Sequence, residues 1–234
     1  MYREMGEYEK LVLLCERAVT VYPDDPALLE TLGSACLKSG RAEQSLNVFS
    51  QLVEMDPEAP AWLLNRACAA VAAGEYGEAE SSCAAALELE PKDGHFFYDR
   101  LATSYKDAGQ YERAEKAQNR AIELCRENHL YYCGLGEIVL KQGRIGEARK
   151  AFEEACRIDP ASRGGFHNRL ANMMLREGHI TEAADEFEKA IAADPDCPFY
   201  YITLIACCDQ LGENERANRY RDLGHRAGIL PDEI

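Results

Sequence analysis

Cys125, His129 and Cys133 follow one another at intervals of four residues, a spacing that could offer a zinc ion three soft ligands. The spacing crosses a junction between two helical patterns rather than lying along one helix, and in a chain with ten cysteines it is expected by chance. The adjacent thiols Cys207 and Cys208 are the other candidate for chemistry, but both fall within a helical apolar pattern and read as packing groups. No HExxH, GxSxG, GxxxxGK or GxGxxG segment is present, and the five histidines are scattered without a carboxylate at a catalytic spacing. The expectation is a chain that is not an enzyme, with no catalytic residue, no metal site and no cofactor.

A different kind of chemistry is written twice. Tyr98-Asp99-Arg100-Leu101-Ala102 and His167-Asn168-Arg169-Leu170-Ala171 place an arginine at the same step of the same helical pattern. A guanidinium grips carboxylates or backbone carbonyls through forked hydrogen bonds, which suits recognition of another chain. What positions those arginines is a period of 34 or 35 residues running through the sequence.

The unit is clearest from His129 to Ser162. Counting His129 as position 1, apolar or small residues at Tyr132, Leu135, Gly136 and Val139 line one stripe of a first helix. Gly143 ends it; a second stripe follows at Ala148, Phe152 and Ala155, and Asp159-Pro160 closes the unit. Gly136 and Ala148 are small because the two helices approach too closely for a branched side chain. The same landmarks return as turn glycines at Gly6, Gly40, Gly74, Gly109, Gly143, Gly178 and Gly212, and as closing prolines at Pro23, Pro57, Pro91, Pro160 and Pro195. Position 20 reads Leu11, Ser45, Ala79, Ala114, Ala148, Ala183 and Ala217, and Phe49, Phe152 and Phe187 hold position 24.

This pattern resembles the tetratricopeptide repeat (TPR) and covers nearly the whole chain. The resemblance implies an all-α, right-handed superhelical solenoid of antiparallel helix pairs, with the first helix of each pair lining an inner groove and each pair burying its core against its neighbours. The expected divisions are an incomplete repeat at 1–25, consisting mainly of a second helix, then repeats at 26–59, 60–94, 95–128, 129–163, 164–197 and 198–234, the last ending in a polar capping helix. The first helix, from about Glu7 to Tyr22, is expected to leave Leu11, Leu14, Cys15 and Ala18 open. No signal peptide precedes it, and the C-terminal end reads as genuine.

On a helical wheel, positions 2, 5, 6, 9, 12 and 13 face the groove. Their charged members are six basic and five acidic, against 20 basic and 36 acidic elsewhere, which makes the groove the least acidic surface. Asn65, Arg100, Lys106, Lys141, Arg169, Asn172 and Arg176 are the candidate partner-binding residues. Arg100 and Arg169 flank Gly134 two repeats apart, on the order of 20 Å at usual helix spacing, which suggests a saddle for an extended or helical peptide. The carboxylate clamp of some TPR domains is not expected: Asn65 and Arg100 match it, but Glu30, Ser34 and Phe96 replace Lys, Asn and Lys. Position 3 carries aromatics at Trp62, Phe97, Tyr131, Phe166 and Tyr200, read as rings that tighten the stack.

The net charge of −15 argues against nucleic-acid and anionic-lipid partners, and no apolar run is long enough for membrane insertion. Ten cysteines without a CxxC motif fit a reducing, cytoplasmic setting. The expected function is a non-catalytic scaffold that binds another protein or peptide in the groove. The alternative is an assembly element, self-associating through its N-terminal half repeat or belonging to a longer TPR protein.

Overall fold

The computed structural model describes residues 2–231, which form thirteen α-helices and two short 3-10 turns, with no strand among the described residues. They fall into two compact units, Met1–Cys125 and Arg126–Ile234.

The first unit holds α1 (Tyr2–Val19), α2 (Pro26–Lys38), α3 (Ala42–Met55), α4 (Pro60–Ala73), α5 (Tyr76–Leu89), α6 (Gly94–Asp107) and α7 (Tyr111–Leu124), each packed on the next. Here α2, α4 and α6 are the first helices of successive pairs, and α4 lies against both of the others. Local chemistry sets the helix starts: Asp25 accepts hydrogen bonds from the Ala27 and Leu28 amides at 3.0 and 3.2 Å ahead of Pro26, a residue pre-set for a first helical turn. The core runs from Val12 and Cys15 through Leu29, Leu32 and Phe49 to Leu52.

The second unit holds α8 (His129–Lys141), α9 (Ile145–Ile158), α10 (Arg163–Arg176), α11 (Ile180–Ala193), α12 (Pro198–Leu211) and α13 (Asn214–Arg226) in the same sequential packing, with α8 also touching α10. Its turns are glycine-closed helix ends. The Gly143 amide bonds the Leu140 carbonyl at 2.8 Å and the Arg144 amide bonds the Val139 carbonyl at 3.0 Å, a Schellman closure that needs the left-handed φ of 76° found at Gly143. The sequence insertions near Gly94 and Arg163 are taken up by the 3-10 turns Pro91–Asp93 and Pro160–Ser162, which hand the chain directly to α6 and α10.

The small positions are needed where the pattern places them. A Cβ on Gly136 would lie 2.6 Å from a Phe152 ring carbon, and one on Gly33 would lie 2.8 Å from Phe49. Ser45, which replaces Ala at position 20, is fully buried and donates its hydroxyl to the Gly33 carbonyl at 2.8 Å, so the substitution leaves no unpaired group.

Two expectations for the first helix are corrected. Gly6 is not a turn: α1 runs through it without a left-handed residue. Cys15 is not on an open face but 5% exposed, since α1 turns Val12 and Cys15 onto the core shared with α2 and α3. The open apolar residues are Leu13 and Leu14, 51% and 63% exposed, followed by Val21 and Tyr22 in the connecting turn.

Candidate functional site

In the first unit a hollow of about 410 Å³ crosses three first helices, with Leu37 and Lys38 of α2, Cys68 and Ala72 of α4, and Ser104 and Asp107 of α6 around it. One helical turn or more towards the N-termini of the same helices, Arg100 on α6 donates to Asn65 Oδ1 on α4 at 3.0 Å and lies 6.0 Å from the centre of the Phe96 ring. No carboxylate among the described residues pairs with Arg100. Its neighbour Asp99 is occupied by Gln118, which donates to it at 3.0 Å. A half-buried guanidinium held by a neutral amide and an aromatic face keeps its positive charge for a partner. Lys106 is half-buried and sits 3.8 Å from Asp107 at the edge of the hollow.

In the second unit a smaller hollow of about 70 Å³ occupies the corresponding register, between Glu137, Leu140 and Lys141 of α8 and Met173, Arg176 and Glu177 beside α10. Lys141 pairs with Glu177 at 2.5 Å, Arg169 is 3.8 Å from Glu137, and Asn172 donates to the carbonyl and side chain of Asn168 at 2.8 Å. Arg176 is exposed. The candidates therefore gather in two groups, Asn65, Arg100 and Lys106 in the first unit and Lys141, Arg169, Asn172 and Arg176 in the second. The expected saddle joined Arg100 to Arg169, which belong to different units.

Four of the five aromatics of position 3 are core: Phe97, Tyr131, Phe166 and Tyr200 are buried, Trp62 is half-buried against the core of its unit, and Phe166 packs its ring 5.3 Å from that of His129. Cys207 and Cys208 are buried, as packing groups should be. Among the described residues no three His, Cys, Asp or Glu side chains gather as metal ligands. No helix among them is long and apolar enough to cross a membrane.

The second helices carry features that the repeat pattern did not disclose. Arg113 of α7 pairs with Glu80 of α5 at 2.5 Å, Arg149 of α9 with Glu186 of α11 at 2.8 Å, and Arg216 of α13 with Asp185 and Glu188 of α11 at 3.0 and 2.8 Å. These acidic side chains of the second helices are thus latched helix to helix. A buried Cys156, His167 and Glu186 chain was likewise missed; its one sequence signal is a histidine at a core position, which requires a polar partner.

Two family models, both described as tetratricopeptide repeat, match residues 30–94 and 97–161, together more than half of the sequence. The chain belongs to the tetratricopeptide repeat family. A Bacillus subtilis (strain 168) TPR repeat-containing protein, YpiA, is 24% identical over 166 residues, covering 71% of this chain and 31% of the relative. The rat DnaJ homolog subfamily C member 3 is 32% identical over 91 residues, covering 39% of this chain and 18% of the relative. The chain thus spans less than a third of the length of these relatives. Among solved structures, a chain of the APC/C hetero-tetramer Cut9–Hcn1 matches with a TM-score of 0.52 at 17% identity, covering 98% of this chain and 45% of that one, a likeness of fold.

Proposed function

We propose that this tetratricopeptide chain is a non-catalytic scaffold that binds a partner protein or peptide along the exposed faces of its first helices. A general role in protein–protein interaction goes with the family. The finer reading, a peptide laid across α2, α4 and α6 with Arg100 as its anchor, rests on one observation above the rest: Arg100 is positioned by Asn65 and Phe96 beside a hollow of about 410 Å³ and has no carboxylate partner among the described residues. Extended peptides offer carbonyls along their length and carboxylates at acidic side chains, both of which suit a guanidinium fork. Arg169, Asn172, Arg176 and Lys141 supply the same face in the second unit. The overall charge of −15 favours basic or mixed partners, with the acid-bearing part of the peptide directed to the arginines. Ten free cysteines support a reducing, cytoplasmic setting.

Selection of a displayed random-peptide library on the folded chain tests the reading. Peptides recovered on the natural sequence should lose about tenfold or more in affinity for Arg100→Ala, about 1.4 kcal/mol, with helicity unchanged. Equal affinity for both proteins would refute the anchor role.

A second reading, self-association through the first helix, is supported by the exposure of Leu13, Leu14, Val21 and Tyr22. Sedimentation over a wide concentration range separates the two readings: a constant monomer mass argues for the scaffold alone, while concentration-dependent growth abolished by Leu14→Glu argues for assembly.

A further inference from the structure

Cys156 of α9, His167 of α10 and Glu186 of α11 form a chain of side chains through the second unit. Cys156 Sγ lies 4.0 Å from His167 Nε2, and His167 Nδ1 lies 2.9 Å from Glu186 Oε2. All three are more than nine-tenths buried. Glu186 also accepts from Arg149 and Lys189, each at 2.8 Å. Burial alone would raise the Glu186 carboxyl, but the hydrogen bonds from His167 and Lys189 outweigh it and bring it down to about 2. An ionised carboxylate only accepts, so Nδ1 is the donor, and Nε2, when it carries no proton, turns its lone pair toward the thiol.

The thiol is not sealed in the core. It borders a cavity of about 360 Å³ whose other polar walls are Arg163, Lys189, His167 and Glu153. Burial pushes the Cys156 thiol up while Arg163 draws it down, so the resting group is a thiol whose proton must be handed over as it reacts. The imidazole supplies the acceptor, and Arg163, unlike Lys189 not committed to Glu186, favours an anionic reactant on its side of the cavity.

We propose that Cys156 is a modification site that exchanges with small, carboxylate-bearing disulfides, with His167 accepting its proton and Glu186 positioning the imidazole. In the exchange the S–H proton passes to His167 Nε2 and the Cys156 sulfur attacks one sulfur of the reactant. Its S–S bond breaks as the new one forms, and the departing thiolate takes the proton from His167. The Cys156 sulfur is oxidised, the departing sulfur is reduced, and no other oxidant is needed. The cavity then holds the attached group between Arg163 and Lys189. This site lies between the second helices α9 and α11 and the buried side of α10, and is independent of the peptide-binding reading.

The test is to treat the folded, fully reduced chain with glutathione disulfide near neutral pH and to follow each cysteine by peptide mass spectrometry. Cys83 is the internal standard, because it has the same 4% exposure but no histidine partner among the described residues. Cys156 is expected to react roughly tenfold or more faster than Cys83, and His167→Gln to remove most of that advantage. Should His167→Gln unfold the chain, Arg163→Ala serves instead: it raises the thiol for any reactant, but should slow glutathione disulfide several-fold more than neutral hydroxyethyl disulfide. Equal rates at Cys156 and Cys83 overturn the proposal. So does an undiminished Cys156 rate in folded His167→Gln, or the same response of both disulfides to Arg163→Ala.

Discussion

Arg100 on α6 reaches back to α4 and donates to Asn65 Oδ1 at 3.0 Å, joining two residues at the same position of neighbouring repeats. The amide orients the guanidinium without neutralising it. Asn65→Ala should therefore weaken a selected peptide by the worth of one positioning hydrogen bond, roughly threefold to tenfold. Arg100→Lys should lose more, because it keeps the charge but not the fork. Calorimetric titration of the three proteins checks the order.

Gly136 and Gly146 are opposite cases within one hairpin. A Cβ at Gly136 meets the Phe152 ring at 2.6 Å, so Gly136→Ala should destabilise by about 1 to 3 kcal/mol through overpacking. Gly146, exposed near the start of α9, has nothing within 4 Å, and Gly146→Ala should stabilise by up to about 1 kcal/mol through helix propensity. Urea unfolding of both variants should show shifts of opposite sign.

Phe97 is 4% exposed at the start of α6. Its truncation to Ala should cost about 3 to 5 kcal/mol, as removal of a buried ring does. If the ring instead served partner binding, the variant would keep its unfolding midpoint and lose only peptide affinity.

Glu186 predicts an acid limb of stability. Its folded carboxyl is lowered from an ordinary 4.5 to about 2, so the ionised form is favoured in the native state. That stabilisation is present above about 4.5 and is lost as pH falls from there toward 2. The amount at stake is on the order of 3 kcal/mol at most. Urea midpoints measured down this range should fall more steeply for the natural chain than for Glu186→Gln, which cannot titrate.

Legibility followed the length scale of each feature. The hairpins, the glycine turns and the small residues at Gly136 and Ala148 were readable because a helical stripe and its terminator are written in consecutive residues. Position 3 was readable as core for the same reason. The fault at Gly6 arose because a glycine at the right interval does not by itself break a helix, and here it simply continues α1. At the candidate site the wheel set Asn65 and Arg100 at the same position of neighbouring first helices, where their side chains meet. It did not foresee that Lys141 is engaged by Glu177 while Arg100 is held by an amide and a ring.

The sequence by itself determined that this chain is a stack of helix pairs, where each pair closes, and which faces are oily, because those properties arise from backbone geometry and the order of neighbouring residues. Only the tertiary structure decided the partners of long side chains: Arg149 and Arg216 latching to α11, and Cys156, His167 and Glu186 meeting from three helices. The physical reason is that an arginine or glutamate has many extended rotamers of similar energy. The choice among them is made by the phase at which one helix settles against the next, which no local pattern encodes.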